Sequence, residues 1–261
     1  MTEFNRYTMM MEAMAELQPE IDAARRSQPV PALPPLNEVL TEFGSMPVEA
    51  LFLGVASDGL PVLLNLFDPI PGPLLISGDA GTGKTGLLQV IASAAGRTHQ
   101  PDELQFGILT NHPDEWNGLE DMPGNVGIFP IHDRSAEDFI LSLASWAHGN
   151  KTSQQSVLLL LDDLEAATNL DFDAKQNLRW LLLRGPARRV WPIITLNPNR
   201  MENISAWLDA FHTRIFAPIQ NPRQIRQLDA EHADLDSLTI GSQFVLREGD
   251  HWLRFWVPTL D

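Results

Sequence analysis

The sequence predicts an α/β fold: a mostly parallel sheet flanked by helices, with antiparallel hairpins added at both ends. Three observations support this prediction. Short apolar runs alternate with amphipathic helical segments along the middle of the chain. One of these runs, VLLLL at 157–161, is uninterrupted, as expected for a strand buried on both faces. Near each end of the α/β region, two strand-like runs flank a turn sequence, which is typical of a hairpin.

The predicted elements follow one another with short turns between them. Runs at 50–56 and 61–66 flank Asp58-Gly59, a strong turn signal, and form the first hairpin. Residues 242–257 form the second, with its turn at 248–250. Between them we expect strands at 73–77, 104–110, 125–131, 157–161, 191–196 and 214–217, and helices at 86–96, 136–148 and 174–183.

The N-terminal part of the chain has a different character. Residues 9–26 read as a short amphipathic helix or helix pair, and residues 29–35 contain four prolines, which is typical of a stiff, extended linker. We therefore predict two parts: a helical segment with its linker at 1–35, and the α/β domain at 36–261. The sequence leaves open whether the helical segment packs on the domain or on a partner.

Composition and charge limit the possible functions. The chain has 261 residues, no cysteine, 34 acidic and 18 basic residues, and a formal net charge of −16. The lack of cysteine excludes a disulfide scaffold, thiol catalysis and cysteine-based zinc sites. No apolar stretch is long enough for an integral membrane segment and the N-terminus does not resemble a signal peptide, so we expect a cytoplasmic protein. The negative charge disfavours general adhesion to nucleic acid.

The charge is uneven along the chain. Between Lys175 and Arg226 there are nine basic and two acidic residues, a charge of +7, so the rest of the chain carries −23. This polarity suits head-to-tail packing of one subunit on the next. A basic lining for a DNA channel is a second interpretation.

A phosphate-binding loop is the most specific motif. GDAGTGKT, residues 78–85, matches G-x-x-x-x-G-K-[ST] between a predicted strand and a predicted helix. Its glycines let backbone amides approach phosphates. Lys84 would contact the β- and γ-phosphates, and the Thr85 hydroxyl would bind Mg²⁺. The predicted nucleotide-binding residues are Gly78, Asp79, Ala80, Gly81, Thr82, Gly83, Lys84, Thr85 and Gly86.

Two carboxylates follow the buried strand at 157–161. Ligands of such sheets bind at the carboxyl ends of the strands, where Asp162 and Asp163 lie. Asp162 is the expected Mg²⁺ partner opposite Thr85. Asp163 occupies the position where many ATPases place a carboxylate that polarises water. Asp163 could instead simply favour a solvated helix N-terminus.

Polar residues near the next strand have two interpretations each. Asn197, at the end of WPIITLN, could contact the γ-phosphate or orient water, or Asn197-Pro198 could be only a turn. Arg184, Arg188 and Arg189 precede that strand. One of them, with Arg184 as the first candidate, could reach a neighbouring subunit's γ-phosphate. Alternatively, they form a solvated basic loop at a helix C-terminus.

Taken together, these segments resemble the FtsK/HerA class of P-loop ATPases, with RecA/FtsK-like folds. The similarity covers about residues 48–257 and is greatest to the FtsK-like domains of the EccC ATPases of type VII secretion. The segments that carry it are PLLISGDAGTGKT, VLLLLDDLEAA, WPIITLNPNR and FHTRIFAPIQNPRQIRQLD. The resemblance implies an oligomeric, usually hexameric, motor that uses ATP and Mg²⁺ to move DNA or a polypeptide. By position, the catalytic residues are Lys84, Asp162, Asp163, Asn197 and, loosely, Arg184.

Two function classes remain open from the sequence. The first is a ring-forming ATPase motor. The second is a nucleotide-binding regulatory or interaction module that hydrolyses slowly or not at all, which Asp163 in place of the usual glutamate and the single-domain length favour. A small-molecule kinase stays possible.

Overall fold

Ten strands form one sheet in the computed structural model, which describes residues 33–261. The predicted helical segment at 9–26 lies outside the described residues. In chain order the strands are β1 Ala50–Ala56, β2 Pro61–Asn65, β3 Leu74–Ser77, β4 Leu104–Thr110, β5 Asn125–Pro130, β6 Ser156–Leu161, β7 Val190–Leu196, β8 Thr213–Phe216, β9 Gln243–Glu248 and β10 His251–Trp256. Each predicted strand is present within one or two residues of its expected bounds.

Six α-helices connect or flank these strands in the described part of the chain. They are α1 Leu36–Phe43, α2 Lys84–Thr98, α3 Arg134–Gly149, α4 Phe172–Arg184, α5 Ser205–Leu208 and α6 Pro222–Gln227. The three long helices were predicted. Neither α1 nor the short helices α5 and α6 were, because each is brief and lies next to prolines or turn residues. Short 3₁₀ turns cover Pro113–Leu119, Leu164–Asn169, Pro186–Arg188, Pro198–Asn203 and Leu235–Ser237.

The sheet has a parallel half and an antiparallel half. Its strand order is β2-β1-β10-β9-β8-β3-β7-β6-β4-β5. All pairs from β8 to β5 are parallel, and all pairs from β2 to β8 are antiparallel. The predicted α/β fold is confirmed, and both predicted hairpins form. They lie side by side at one end of the sheet because β1 pairs with β10, a contact that the sequence pattern does not reveal.

The central strand β7 contains a proline. Pro192 pairs with Leu159 of β6, while the pairing of β7 with β3 starts only at Ile193. At Pro192 the strand therefore pairs with β6 but not with β3. On the β3 side, the N–H that proline lacks has no partner strand to bind.

Helices cover both faces of the sheet and bury two apolar cores. One core packs α1 and α2 on the sheet, and the other packs α3 and α4 on the opposite face. All six residues of β6 are buried, as predicted for a strand covered on both sides. Because they are parallel, β3 to β8 all end at the same edge of the sheet. This edge is here called the carboxyl edge, and the loops that follow these strands lie there.

Residues 34–261 form one compact unit. The backbone of Pro35 bridges that of Thr259, and the Thr259 amide donates to the Pro34 carbonyl at 3.2 Å. The domain boundary at 35/36 stays a prediction. None of the helices within residues 33–261 has the length and apolar character needed to cross a membrane.

Candidate nucleotide-binding site

The loop between β3 and α2 carries the predicted phosphate-binding sequence at the carboxyl edge. Gly81 and Gly83 have φ angles of 75° and 96°, in the left-handed region that favours glycine. A Cβ at Gly78 would lie 2.6 Å from the Cβ of Ala217. Helix α2 begins at Lys84, so its first amides face the loop, where an anion would bind.

Side chains inside the loop hold its shape. The Gln220 amide donates to Asp79 Oδ2 at 2.8 Å, and Thr82 Oγ1 donates to the Asp79 carbonyl at 2.8 Å. Ala80 is exposed and Gly86 half-buried. The loop is therefore anchored on the segment that follows β8, and its outer residues stay accessible.

The side chain of Lys84 folds back over the loop. Its Nζ donates to the carbonyls of Gly78 and Asp79 at 2.9 Å each. Burial lowers the pKa of the Lys84 ammonium, and the nearby carboxylates of Asp163 and Asp162 oppose that shift. The lysine charge thus lies between the loop and the acidic residues at the ends of the strands.

Thr85 and Asp162 are in direct contact. Thr85 Oγ1 donates to Asp162 Oδ2 at 3.0 Å, with Oδ1 at 3.2 Å, and Thr195 Oγ1 donates to Oδ1 at 2.8 Å. Burial raises the pKa of the Asp162 carboxyl, and the hydrogen bonds from Thr195 and Thr85 oppose the rise. Residues from α2, β6 and β7 therefore converge on one buried carboxylate.

This pair fits magnesium that arrives with a nucleotide. A hydroxyl and a carboxylate are oxygen ligands of the kind that Mg²⁺ prefers, and Mg²⁺ usually keeps waters and substrate phosphates as its other ligands. Within residues 33–261, no group of three or more His, Cys, Asp or Glu side chains could hold a metal ion. The site is thus suited to a metal shared with phosphates.

Asp163 has an unusual backbone conformation. Its φ is 76°, a region that non-glycine residues adopt only at a cost of roughly 1–3 kcal/mol. Its amide donates to Thr195 Oγ1 at 2.7 Å. Because Thr195 also donates to Asp162, the threonine hydroxyl joins the ends of β6 and β7. The strained residue turns the chain sharply after β6.

Glu165 is the residue at this edge that sequence reasoning missed. Both of its carboxylate oxygens are buried and have no hydrogen-bond partner among the described residues. Burial raises the pKa of Glu165 and the charge of Asp163 adds to the rise, while the backbone N–H groups of Glu165 and Asn197 and the charge of Arg200 oppose it. Its negative charge also acts on Lys84. The available signal was a third acid, three residues after Asp162, on the turn that follows the buried strand.

Asn197 begins the turn after β7. Its side chain accepts from the Asn199 amide at 3.1 Å, so Asn197 does form a turn, and its role toward the γ-phosphate or water stays a prediction. The same residue lies at the carboxyl edge, next to the Asp162–Thr195 contact. Its side-chain nitrogen makes no hydrogen bond to the described residues, so its two N–H groups could still donate to a ligand.

The three arginines lie at the opposite, amino edge of the sheet. Arg189 immediately precedes β7, whose seven residues span about 20 Å. Arg188 Nη1 donates to the Asn150 carbonyl at 3.3 Å, and the Arg189 guanidinium lies 3.7 Å from the ring centre of Phe67. Arg184 is exposed and forms no ion pair within residues 33–261. None of the three can reach the phosphate loop of its own chain.

Comparison with known proteins agrees with this geometry. EccC (ATPases 2 and 3) from Thermomonospora curvata, in complex with a signal sequence peptide, aligns at 13% identity and a TM-score of 0.63, over 88% of this chain and 43% of that one. EssC (ATPases 2 and 3) from Geobacillus thermodenitrificans aligns at 14% identity and a TM-score of 0.68, over 90% of this chain and 48% of that one. The genome packaging NTPase B204 from Sulfolobus turreted icosahedral virus 2, in complex with ATP-gammaS, aligns at 15% identity and a TM-score of 0.54. The alignment covers 74% of this chain and 100% of that one.

The chain spans less than half the length of the EccC and EssC chains that it matches. These likenesses confirm the FtsK-like P-loop fold. No curated protein sequence matches the chain. The family model of the NACHT domain matches residues 72–227, which include the phosphate loop, the acidic turn after β6 and the end of β7. The chain therefore belongs to the NACHT family, on a P-loop NTPase fold.

Proposed function

We propose that the chain binds ATP with Mg²⁺ and hydrolyses it as one subunit of a head-to-tail oligomer that moves a polypeptide. The observation that carries this proposal is the group of Lys84, Thr85 and Asp162 at the carboxyl edge, with the buried carboxylate oxygens of Glu165 beside it. A lysine, a hydroxyl and a carboxylate beside a glycine-rich loop and a helix N-terminus are the groups that bind the phosphates and the metal ion of a nucleotide.

In this proposal each loop residue has a task in binding. Lys84 exchanges its bonds to the Gly78 and Asp79 carbonyls for bonds to phosphate oxygens. Thr85 and Asp162 would hold Mg²⁺, which neutralises charge on the phosphates when it is bound. The amides of residues 79–86 supply the remaining donors.

Glu165 is the better candidate for the base that activates water. A general base works best when its pKa approaches the working pH, and burial raises the pKa of Glu165. The backbone N–H groups of Glu165 and Asn197 oppose only part of that rise. Asp163, the residue favoured by position in the sequence, is then a positioning residue whose left-handed backbone sets the turn that directs Glu165. Asn197 would orient the water or contact the γ-phosphate.

The charge along the α3–α4 layer supports head-to-tail assembly. Both helices start at the carboxyl edge, where Asp133, Glu137, Asp138, Asp171 and Asp173 lie. No acidic residue occurs at 139–156 or 176–190, the stretches that lead to the amino edge. The same pattern stabilises the helix dipoles. It also gives one layer an acidic and a basic end, which complement each other between copies.

Exposed apolar side chains occur at both ends of this layer. Phe172, at the acidic end, is 73% exposed. At the basic end, Ile70 and Leu183 are 79% and 70% exposed, and they line a groove of about 170 Å³ together with Pro69, Pro186, Ala210 and His212. A protrusion at one end and a groove at the other are what a heterologous, ring-forming contact requires.

Arg184 would act across this contact. It is exposed at the basic end, next to Leu183. A neighbour docked head to tail would bring it to the carboxyl edge of the next subunit, where a guanidinium stabilises charge on a transferring phosphoryl group.

A polypeptide is the proposed cargo because the chain is acidic. With a net charge of −16 and three lysines, it has little to offer a phosphate backbone. EccC was solved with a signal sequence peptide and B204 is a genome packaging NTPase, so the fold accommodates both kinds of protein. Stimulation of turnover by unfolded polypeptides but not by duplex DNA would support the proposal, and the reverse would contradict it.

The second candidate function is a slowly hydrolysing nucleotide-binding module. Two features favour slow hydrolysis: the strained backbone of Asp163, and the hydrogen bonds that Lys84 donates to loop carbonyls. Steady-state ATPase activity at rising protein concentration separates the two functions. A motor subunit should show turnover per chain that rises as oligomers form, whereas tight ATP binding without turnover at every concentration would establish the module.

A further inference from the structure

The phosphate loop has two sides, and the site described above occupies only one. Thr85 and Asp162 lie on the side of β6 and β7. Since Mg²⁺ and the γ-phosphate belong at that pair, the phosphate chain must run from there toward its other end. The sugar and base of a nucleotide therefore leave the loop on the opposite side, toward β8 and β9.

A turn before β9 closes that opposite side. The Gly241 amide donates to the Thr82 carbonyl at 3.2 Å. A Cβ at Gly83 would lie 2.6 Å from Gly241 Cα, so the two backbones are in contact. The turn at 239–242 thus packs directly on the phosphate loop.

Hydrogen bonds make this turn rigid. The Gln243 amide donates to the Thr239 carbonyl at 2.9 Å, and the Thr239 amide donates to Gln243 Oε1 at 3.0 Å. Gly241 has a φ of 83°, which suits the turn.

One large apolar side chain projects from the turn into solvent. Ile240 is 64% exposed, while Leu238 and Ser242 on either side are 6% and 9% exposed. An isolated exposed isoleucine is common on protein surfaces. This one is attached to a rigid turn in contact with the phosphate loop, on the side where a base must lie. Ligand sites typically surround the flat part of a ligand with apolar side chains.

We infer that the turn at 239–242 is the base-binding wall of the nucleotide site, and that Ile240 packs against the base. The inference rests on the proposed nucleotide binding at the phosphate loop. It assigns the affinity for the base to the antiparallel half of the sheet, while the phosphates are bound by the parallel half.

The test compares ATP with inorganic tripolyphosphate, which has the phosphates but no base. Binding of each, with Mg²⁺, is measured by titration calorimetry for the wild-type chain, Ile240→Ser and a control, Leu60→Ser. Leu60 is 62% exposed on the first hairpin turn. Serine adds no charge that would repel phosphates. We expect Ile240→Ser to weaken ATP binding about tenfold and to leave tripolyphosphate unchanged, with no effect of Leu60→Ser.

Three results would overturn the inference. Unchanged ATP affinity in Ile240→Ser shows that the base lies elsewhere. An equal loss of ATP and tripolyphosphate affinity shows that the substitution disturbs the phosphate loop instead. If the wild-type chain binds tripolyphosphate but gains nothing from the base, the wall does not exist. A wild-type chain that binds neither compound would instead refute the proposed nucleotide binding itself.

Discussion

The two edges of the parallel half of the sheet present different kinds of side chain. At the carboxyl edge, the charges of Lys84, Asp162 and Glu165 lie close enough to interact. At the amino edge, Arg188 and Arg189 donate to backbone carbonyls, while Ile70 and Leu183 are exposed. A cluster of interacting ionisable groups is typical of a functional site, and exposed apolar groups favour a protein partner. The difference supports the proposal of ATP hydrolysis at the carboxyl edge and subunit association at the amino edge.

The largest effect should come from removing the lysine of the carboxyl edge. Lys84→Ala should weaken ATP binding at least about 100-fold, because a charged donor to the phosphates is lost. The matched control is Lys175→Ala, which removes a lysine from α4 and should leave affinity unchanged. Titration calorimetry with ATP and Mg²⁺ measures both. Equal affinities of Lys84→Ala and wild type would refute the assignment of the site.

The next effect separates the two candidate bases. Glu165→Gln should lower kcat about 100-fold or more, the range typical of a general base, and leave ATP affinity within about twofold. Asp163→Asn should have a smaller effect on kcat, since its backbone conformation rather than its charge is used. Turnover and affinity are measured on the same preparations. If Asp163→Asn loses turnover and Glu165→Gln retains it, the roles are reversed.

The amino edge is tested by its apolar groove. Leu183→Asp should shift the chain toward monomers, because it places a charge in the groove that a neighbour would cover. Leu60→Asp is the control, with a similar exposure, 62% against 70%, on a hairpin turn. Sedimentation velocity with ATP and Mg²⁺ reports the assembly state. Identical profiles for Leu183→Asp and wild type would remove the groove from the interface.

The smallest effect concerns pH. Because burial raises the pKa of Glu165, the folded chain keeps that proton to higher pH than the unfolded chain. Its contribution to the free energy of unfolding is therefore complete at acidic pH and is lost as pH rises through the raised pKa. Glu165→Gln should be about 1 kcal/mol more stable than wild type at pH 8 and of similar stability near pH 4. Thermal melts at both pH values test this, and a pH-independent difference would contradict it.

Most of the parallel half could be predicted because its signals are local. VLLLL at 157–161 is apolar throughout, since β6 is covered on both faces. The phosphate loop needs glycines at fixed spacing, and in the antiparallel half Asp58-Gly59 likewise marks the tight turn between β1 and β2. Each signal needs only a few neighbouring residues, so a single sequence reveals it.

The remaining features depend on contacts distant in sequence. The pairing of β1 with β10 joins the two ends of the domain, and no local pattern reports it. Glu165 was missed because its orientation follows from the left-handed backbone of Asp163, which aspartate does not signal. Likewise, Gly241 contacts Gly83 only in the folded sheet. No sequence motif therefore predicts that the turn at 239–242 lies beside the phosphate loop.

One measurement tests most directly the claim that the carboxyl edge of one subunit meets the amino edge of the next. Glu165→Gln and Arg184→Ala are each assayed for ATP turnover alone and then as an equimolar mixture. Each variant alone should be nearly inactive. In the mixture, a site with an intact Glu165 can meet an intact Arg184 from its neighbour, so random head-to-tail pairing should restore about a quarter of wild-type turnover. A mixture no more active than the two variants measured separately, beside an active wild type, would contradict the account.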